Sequence, residues 1–184
     1  MAWPDERLVR ECLRGSEEAW SALIDKYKNL IFSIPIKYGF STDDATEIFQ
    51  AVCVELLTEL PKLRESKALP KWLMQITAHK CFHRKREQQR TTTPGDAEES
   101  LDISVPAGAE GILRQTQEEQ SLRNALFALP PRCRQLIEML FFEDPPRPYQ
   151  QVAHSLGMAT GSIGFTRQRC LQRLRKQLVK AGFQ

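Results

Sequence analysis

Apolar residues recur at intervals of three and four along residues 5–90, which is the spacing of one face of an α-helix. A break at Gly15, followed by Ser16 and the acids Glu17 and Glu18, predicts that one helix ends there and another begins. The apolar positions of this first stretch are Leu8, Leu13, Trp20, Leu23, Ile24, Tyr27, Ile31 and Ile34.

Two more helices are predicted in the same stretch. A run from Ala45 to Leu60 follows Ser41 and Thr42, either of which can cap a helix, and Pro61 ends it. A run from Pro70 to Gln88 begins with proline in its first turn and becomes strongly basic toward its end.

The helical pattern stops at residue 91. Small residues, acids, Pro and Gly dominate up to about Gly111, and such a composition favours a flexible linker. Helical spacing resumes near Ile112, and no alternation of apolar and polar residues is long enough to predict a sheet. We therefore predict an all-α protein with two small helical domains, residues 1–90 and 119–184, joined by a flexible acidic linker at 91–118.

The stretch from Val152 to Cys170 predicts two helices that meet at a sharp corner. Gly157 suits the left-handed conformation that ends the first helix, and the second helix begins near Thr160. The inward stripe of the second helix is Ile163, Cys170, Leu174 and Leu178, and its opposite stripe is Ser162, Thr166, Arg169 and Arg173, flanked by Phe165 and Gln172. This arrangement is typical of a helix-turn-helix, whose second helix lies in the major groove of DNA.

Charge is unevenly distributed, although the net charge is only +3. Residues 121–184 carry ten basic residues against three acids, whereas residues 91–120 carry one basic residue against seven acids. Such blocks predict a polyanion-binding C-terminal unit beside an acidic tether. No apolar run is long enough for membrane insertion, and the N-terminus lacks the apolar segment of a secretory signal, so a cytoplasmic location is expected.

The cysteines are scattered singly and form no CxxC pair. We expect five reduced thiols that act as small buried hydrophobic residues, with redox sensing as the alternative. The five residues are Cys12, Cys53, Cys81, Cys133 and Cys170.

Five segments, in this order, carry a resemblance to a known family. They are RGSEEAWSALIDKY (14–27), ATEIFQAVCVELL (45–57), KWLMQITAHKCFHRKR (71–86), ALPPRCRQLIEMLFFE (128–143) and YQQVAHSLGMATGSIGFTRQRCLQRLRK (149–176). Together they resemble the extracytoplasmic-function (ECF, group-four) sigma factors, the two-domain promoter-recognition subunits of bacterial RNA polymerase. The resemblance implies a protein that binds core polymerase and directs promoter-specific initiation, with no catalytic activity and no cofactor of its own.

The resemblance also implies roles for particular residues. The helix at 45–60 would dock on the clamp helices of the largest polymerase subunit through Glu47, Gln50 and Glu55. The basic helix that follows would read and melt the minus-ten element through Lys71, Trp72, His79, Lys80, His83, Arg84 and Arg86. The C-terminal domain would read the minus-thirty-five element through Thr160, Ser162, Phe165, Thr166, Arg167, Arg169 and Arg173.

Some features of the family do not carry over to this sequence. The family usually has Asn and Asp where this chain has His79 and His83, so no minus-ten base preference is transferred.

The acidic linker has two interpretations. It fits a basic channel of the polymerase, and it equally fits a solvated tether. Members of the family are commonly held inactive by an anti-sigma protein, so an anti-sigma factor is a further candidate partner.

Parts of the sequence are also compatible with two other functions. A stand-alone helix-turn-helix regulator would use the C-terminal unit alone and bind duplex DNA tightly without polymerase. A zinc enzyme would use His79 and His83, which have the spacing of an HExxH motif, but Lys80 stands where the catalytic Glu is required. Cys81 lies about 200° around the helix from His79, so neither a metal site nor an enzyme is expected.

Overall fold

The computed structural model describes residues 3–90 and 110–183, and these ranges contain helices and turns but no strand. The all-α prediction is therefore confirmed. The chain divides into two compact units, residues 1–118 and 119–184. Its described α-helices are α1 (Asp5–Leu13), α2 (Glu17–Lys37), α3 (Thr42–Glu59), α4 (Leu69–Arg90), α5 (Glu110–Phe127), α6 (Pro131–Phe141), α7 (Tyr149–Ser155) and α8 (Ile163–Lys180).

Two helices of the first unit, α2 and α3, begin at caps that the sequence indicates. The Ser16 hydroxyl accepts a hydrogen bond from the Ala19 amide at 3.2 Å, and the Ser41 hydroxyl accepts one from the Asp44 amide at 3.1 Å. Each bond satisfies an amide that has no partner within its own helix, which is how a serine stabilises a helix start.

Helices α1 to α4 bury one face each in a common core. Its large fully buried side chains are Leu8, Leu23, Tyr27, Leu30, Ile31, Ile34, Leu56, Leu60, Leu69 and Leu73. The Tyr27 hydroxyl donates a hydrogen bond to the Asp5 carboxylate at 2.7 Å, and Lys26 forms an ion pair with the same oxygen at 2.7 Å. These contacts hold α1 against α2, and the buried hydroxyl keeps a charged partner.

Residues 110–118, which the sequence analysis places in the linker, form the first half of α5. Ile112 and Leu113 pack against the core of the first unit, and the buried Thr116 hydroxyl accepts a hydrogen bond from Lys37 at 3.1 Å. These two apolar residues and the Thr116 hydroxyl are contacts of this half of the helix with the first unit. The remaining part of the predicted linker, residues 91–109, lies outside the described residues.

The second unit packs the end of α5 together with α6, α7 and α8. Its core is smaller and consists of Ala125, Leu126, Leu129, Cys133, Leu136, Ile137, Val152, Ala153, Ile163, Cys170 and Leu174. The inward stripe predicted for the second helix of the corner is confirmed, because Ile163, Cys170 and Leu174 are buried and Leu178 packs against them.

A disulfide joins Cys133 of α6 to Cys170 of α8, with Cα atoms 5.3 Å apart. The expectation of five reduced thiols is therefore wrong for this pair, while Cys12, Cys53 and Cys81 are free thiols. The two partners are 37 residues apart, so their spacing gives no sign of the bond, which depends on how α6 packs on α8.

None of the helices in the described ranges is both long enough and apolar enough to cross a membrane.

Candidate functional surfaces

Helix α3 presents an apolar stripe to solvent on the side opposite the core. Gln50, Val54 and Leu57 are spaced by four and three residues, so they lie on one face, here called the outer face of α3. Val54 is 63% exposed and Leu57 is 57% exposed. The two aliphatic side chains and the amide make this face a candidate contact surface for another protein.

A groove of about 810 Å³ runs between α3 and α4. Two predicted polymerase contacts and two predicted DNA contacts meet across it, because Lys80 pairs with Glu55 at 2.6 Å and Arg84 pairs with Glu47 at 2.7 Å. Arg84 also reaches Asp44 at 3.0 Å. The acids and the cations, which the sequence assigns to two separate sites, are therefore ion-pair partners across one groove.

The electrostatics of this groove favour ion pairing within the protein. Hydrogen bonds from Ser41 and from Arg84 hold the pKa of the Asp44 carboxyl below its usual value, and the bond to Asp44 raises the pKa of Arg84. The charged side chains that line the groove are four acids and two cations, namely Glu47, Glu55, Glu59, Glu87, Lys80 and Arg84. A phosphate inside the groove would therefore meet more negative than positive charge.

Five of the seven predicted minus-ten residues line this groove: Trp72, His79, Lys80, His83 and Arg84. Trp72 is partly buried and packs against the core of the first unit. The imidazoles of His79 and His83 approach to 3.0 Å between their Nε2 atoms. Within the described ranges no cluster of three or more His, Cys, Asp or Glu side chains is arranged to hold a metal ion.

The other two predicted minus-ten residues, Lys71 and Arg86, do not line the groove. They share a face of α4 with Phe82, because the separations of 11 and 4 residues are close to whole turns of a helix. Phe82 is 38% exposed. We call these three residues the outer face of α4, on which the aromatic ring lies about one turn from Arg86 and about three turns from Lys71.

In the second unit, the corner between α7 and α8 is closed by backbone hydrogen bonds. Gly157 has a φ of 60°, and the Met158 amide bonds to the Ala153 carbonyl at 2.8 Å. The Gly157 amide bonds to the His154 carbonyl at 3.2 Å, which completes a glycine-terminated helix end. A 3-10 turn at Thr160–Ser162 then leads into α8, so the predicted helix-turn-helix geometry is present.

Four predicted minus-thirty-five residues, Ser162, Thr166, Arg169 and Arg173, line one cavity of about 430 Å³. Arg132 of α6 lines the same cavity, and its guanidinium donates to the Leu156 carbonyl at 2.9 Å. Arg132 therefore ties the start of α6 to the end of α7. The cavity brings together three arginines from two helices on the side where DNA is expected.

The remaining three predicted minus-thirty-five residues have other surroundings. Phe165 is 66% exposed, and the guanidinium of Arg169 lies 5.8 Å from its ring centroid. Arg167 donates to the Tyr149 hydroxyl at 2.6 Å, so it braces α8 against α7. Thr160 lies at the exposed start of the 3-10 turn.

Sequence reasoning missed four residues of these surfaces: Val54, Leu57, Phe82 and Arg132. The first three are recognisable only as apolar residues on a polar helix face, and a helical wheel could have indicated them. Arg132 gives no sequence signal, because its place beside α8 depends on tertiary packing.

Comparisons with known proteins match the chain both to a family model and to relatives that cover most of it. Residues 23–91, from within α2 to just beyond α4, match the family described as Sigma-70 region 2. The chain is 26% identical over 176 residues to the ECF RNA polymerase sigma factor SigD of Mycobacterium tuberculosis and of Mycobacterium bovis, covering 94% of this chain and 80% of the relative. It is 25% identical over 157 residues to the RNA polymerase sigma factor SigV of Bacillus subtilis, covering 85% of this chain and 89% of the relative.

Proposed function

We infer that this chain is an extracytoplasmic-function sigma factor, a subunit that binds core RNA polymerase and directs promoter-specific transcription initiation. The observation that carries this inference is the sigma-70 region 2 match over residues 23–91, together with relatives that cover 94% of the chain. Sigma factors direct the chemistry of the polymerase and catalyse no reaction themselves. The protein accordingly acts in the cytoplasm, where bacterial polymerase meets DNA.

We propose that the outer face of α3 docks on the clamp helices of the largest polymerase subunit. Val54 and Leu57 supply apolar area that docking removes from water, and Gln50 supplies hydrogen bonds at the edge of that area. Glu47 and Glu55 act mainly on the other side of α3, where their ion pairs with α4 hold the docking helix in place.

For the minus-ten element we propose the outer face of α4. The ring of Phe82 accepts a base stacked upon it, while Lys71 and Arg86 lie alongside to meet phosphates. Lys80 and Arg84 contribute less to DNA binding, because acids of α3 already compensate their charges.

For the minus-thirty-five element we propose α8. Arg169, Thr166 and Ser162 lie near its start and face the cavity, where they can reach base edges in the major groove. Arg132 and Arg173 lie farther along the surface and meet phosphates, which position the helix without specifying sequence.

The test is co-elution of the purified protein with bacterial core RNA polymerase on a sizing column without DNA. We expect a stable complex at micromolar protein, and we expect Gln50→Ala combined with Leu57→Ala to lower the fraction that co-elutes. The matched control is Leu13→Ala, which removes an exposed leucine from α1. Absence of any complex would exclude the sigma function and leave a helix-turn-helix protein without a polymerase partner.

The stand-alone regulator is not favoured, because the region 2 match falls on the first unit, which a lone helix-turn-helix would not require. An anti-sigma protein that inhibits this chain would have to cover the outer face of α3, the cavity at α8, or both. Competition between such a protein and core polymerase in the same co-elution assay would test that expectation.

A further inference from the structure

The disulfide between Cys133 and Cys170 lies in the wall of the cavity that faces DNA. Both residues line that cavity, together with Arg132, Arg169 and Arg173. The two cysteines are almost completely buried, so the cavity is the route by which a small reagent reaches them. A change in their bonding therefore acts directly on the surface proposed to bind the promoter.

The other three cysteines are in surroundings that suppress thiol chemistry. Burial raises the pKa of Cys12 to about 11 and that of Cys81 to about 12, and it also raises the pKa of Cys53. Because the thiolate is the reactive form, these residues react slowly at neutral pH.

Cys133 is also buried, but two of its neighbouring groups favour a negative sulfur. It is the third residue of α6, where the positive end of the helix dipole favours a negative sulfur. A guanidinium nitrogen of Arg173 lies 3.8 Å from its sulfur atom. When the bond is open, both features favour the thiolate of Cys133, with Cys170 beside it as the second thiol.

We propose that Cys133 and Cys170 form a reversible redox site, and that its oxidised form binds the promoter more tightly than its reduced form. A disulfide in a protein that acts among cytoplasmic reductants is most often transient and regulatory. The inference rests on the proposed function in two respects, namely that the protein acts in the cytoplasm and that α8 binds DNA.

The oxidant belongs to the peroxide class. The Cys133 thiolate attacks one peroxide oxygen, the O–O bond breaks, and a sulfenic acid forms as hydroxide leaves and takes up a proton. The thiol of Cys170 then attacks that sulfur and expels water, so two thiols and one hydrogen peroxide give one disulfide and two waters. A cellular dithiol reduces the Cys133–Cys170 disulfide to two thiols by two thiol–disulfide exchanges and is itself oxidised to a disulfide.

Repulsion among the arginines of the cavity explains why the oxidised form binds DNA more tightly than the reduced form. Among the described residues that line the cavity there are three arginines and no acid, so the positive groups on α6 and α8 repel one another. The covalent link keeps α8 against α6 despite that repulsion. On reduction the two sulfurs move apart to van der Waals distance, and the arginines lose the arrangement that a phosphate requires.

The first experiment follows the chemistry in the full chain. Protein reduced with a dithiol and then freed of it is exposed to hydrogen peroxide, labelled with a maleimide reagent and mapped by mass spectrometry. We expect peroxide to protect Cys133 and Cys170 from labelling, and thioredoxin-class reductant to restore labelling in the folded protein. The pair should still close in Cys53→Ser, whereas Cys133→Ser should leave Cys170 unpaired. Continued labelling of both cysteines after peroxide, or a bond that the reductant leaves intact, would overturn the proposal.

The second experiment measures initiation by core polymerase mixed with protein in either redox state, on fragmented genomic DNA of the source organism. We expect the oxidised protein to initiate about fivefold more than the reduced protein, and Cys133→Ser/Cys170→Ser to be insensitive to the same treatment. Equal initiation in both states would overturn the redox proposal and leave the sigma function standing. Failure to initiate in either state, with a bond that still opens and closes, would instead remove the sigma function.

Discussion

Leu57→Ala is expected to weaken binding to core polymerase without destabilising the protein. Full burial of a leucine side chain contributes about 1.5–3 kcal/mol. Leu57 is 57% exposed in the free protein, so docking gains roughly half of that amount, and alanine retains part of it. The expected loss is about 1 kcal/mol, or about fivefold in Kd.

The assay is fluorescence anisotropy of labelled protein titrated with core polymerase in the absence of DNA. Leu13→Ala is the matched control, because Leu13 is 52% exposed on another helix of the same unit. Both variants should unfold at the wild-type temperature, since neither side chain belongs to the core. Wild-type affinity in Leu57→Ala, or an equal loss in Leu13→Ala, would refute the assignment of the outer face of α3.

Four further results are expected. Phe82→Ala should reduce permanganate reactivity of the melted minus-ten strand by about tenfold, because stacking on a ring is worth about 1–3 kcal/mol per base, while core affinity should be unchanged. Arg169→Ala should lower initiation at promoters with the preferred minus-thirty-five base but little at promoters with that base altered, since a base contact contributes about 1–3 kcal/mol of discrimination. Reducing the Cys133–Cys170 bond should lower the free energy of unfolding of the second unit by about 4 kcal/mol in urea titrations, as loop entropy predicts for partners 37 residues apart. Because the pKa of Asp44 is lowered in the folded protein, wild type should exceed Asp44→Asn in stability above the ordinary carboxyl value of 3.8, and the difference should vanish as the pH falls through the folded pKa.

The features that sequence predicted well are local ones. Ser16 and Ser41 act as caps because a hydroxyl three residues before an unpaired amide is a short-range arrangement. Gly157 ends α7 because only a few residues determine that turn, and this made the helix-turn-helix recognisable from the chain alone.

The features that it missed are those created by tertiary packing. Sequence assigns Glu47 and Glu55 to one surface and Lys80 and Arg84 to another. Only the packing of α3 on α4 pairs Lys80 with Glu55 and Arg84 with Glu47. The disulfide was missed for the same reason, because Cys170 meets its partner only where α8 crosses α6.

Residues 110–118 form a helix where the sequence predicts a linker, and the reason is a different one. Their composition is mostly polar, and composition alone does not register that Ile112 and Leu113 pack against the core of the first unit. Hydrophobic periodicity needs several turns before it becomes a signal, and residues 110–118 contain only two aliphatic side chains, Ile112 and Leu113.

The most direct test of the central claim is initiation itself. Core polymerase with and without the protein transcribes fragmented genomic DNA, and the 5′ ends of the transcripts are mapped. We expect new start sites that appear only with the protein and share two upstream elements at a constant spacing, one near minus ten and one near minus thirty-five. An unchanged set of start sites would contradict the assignment of this chain as a sigma factor.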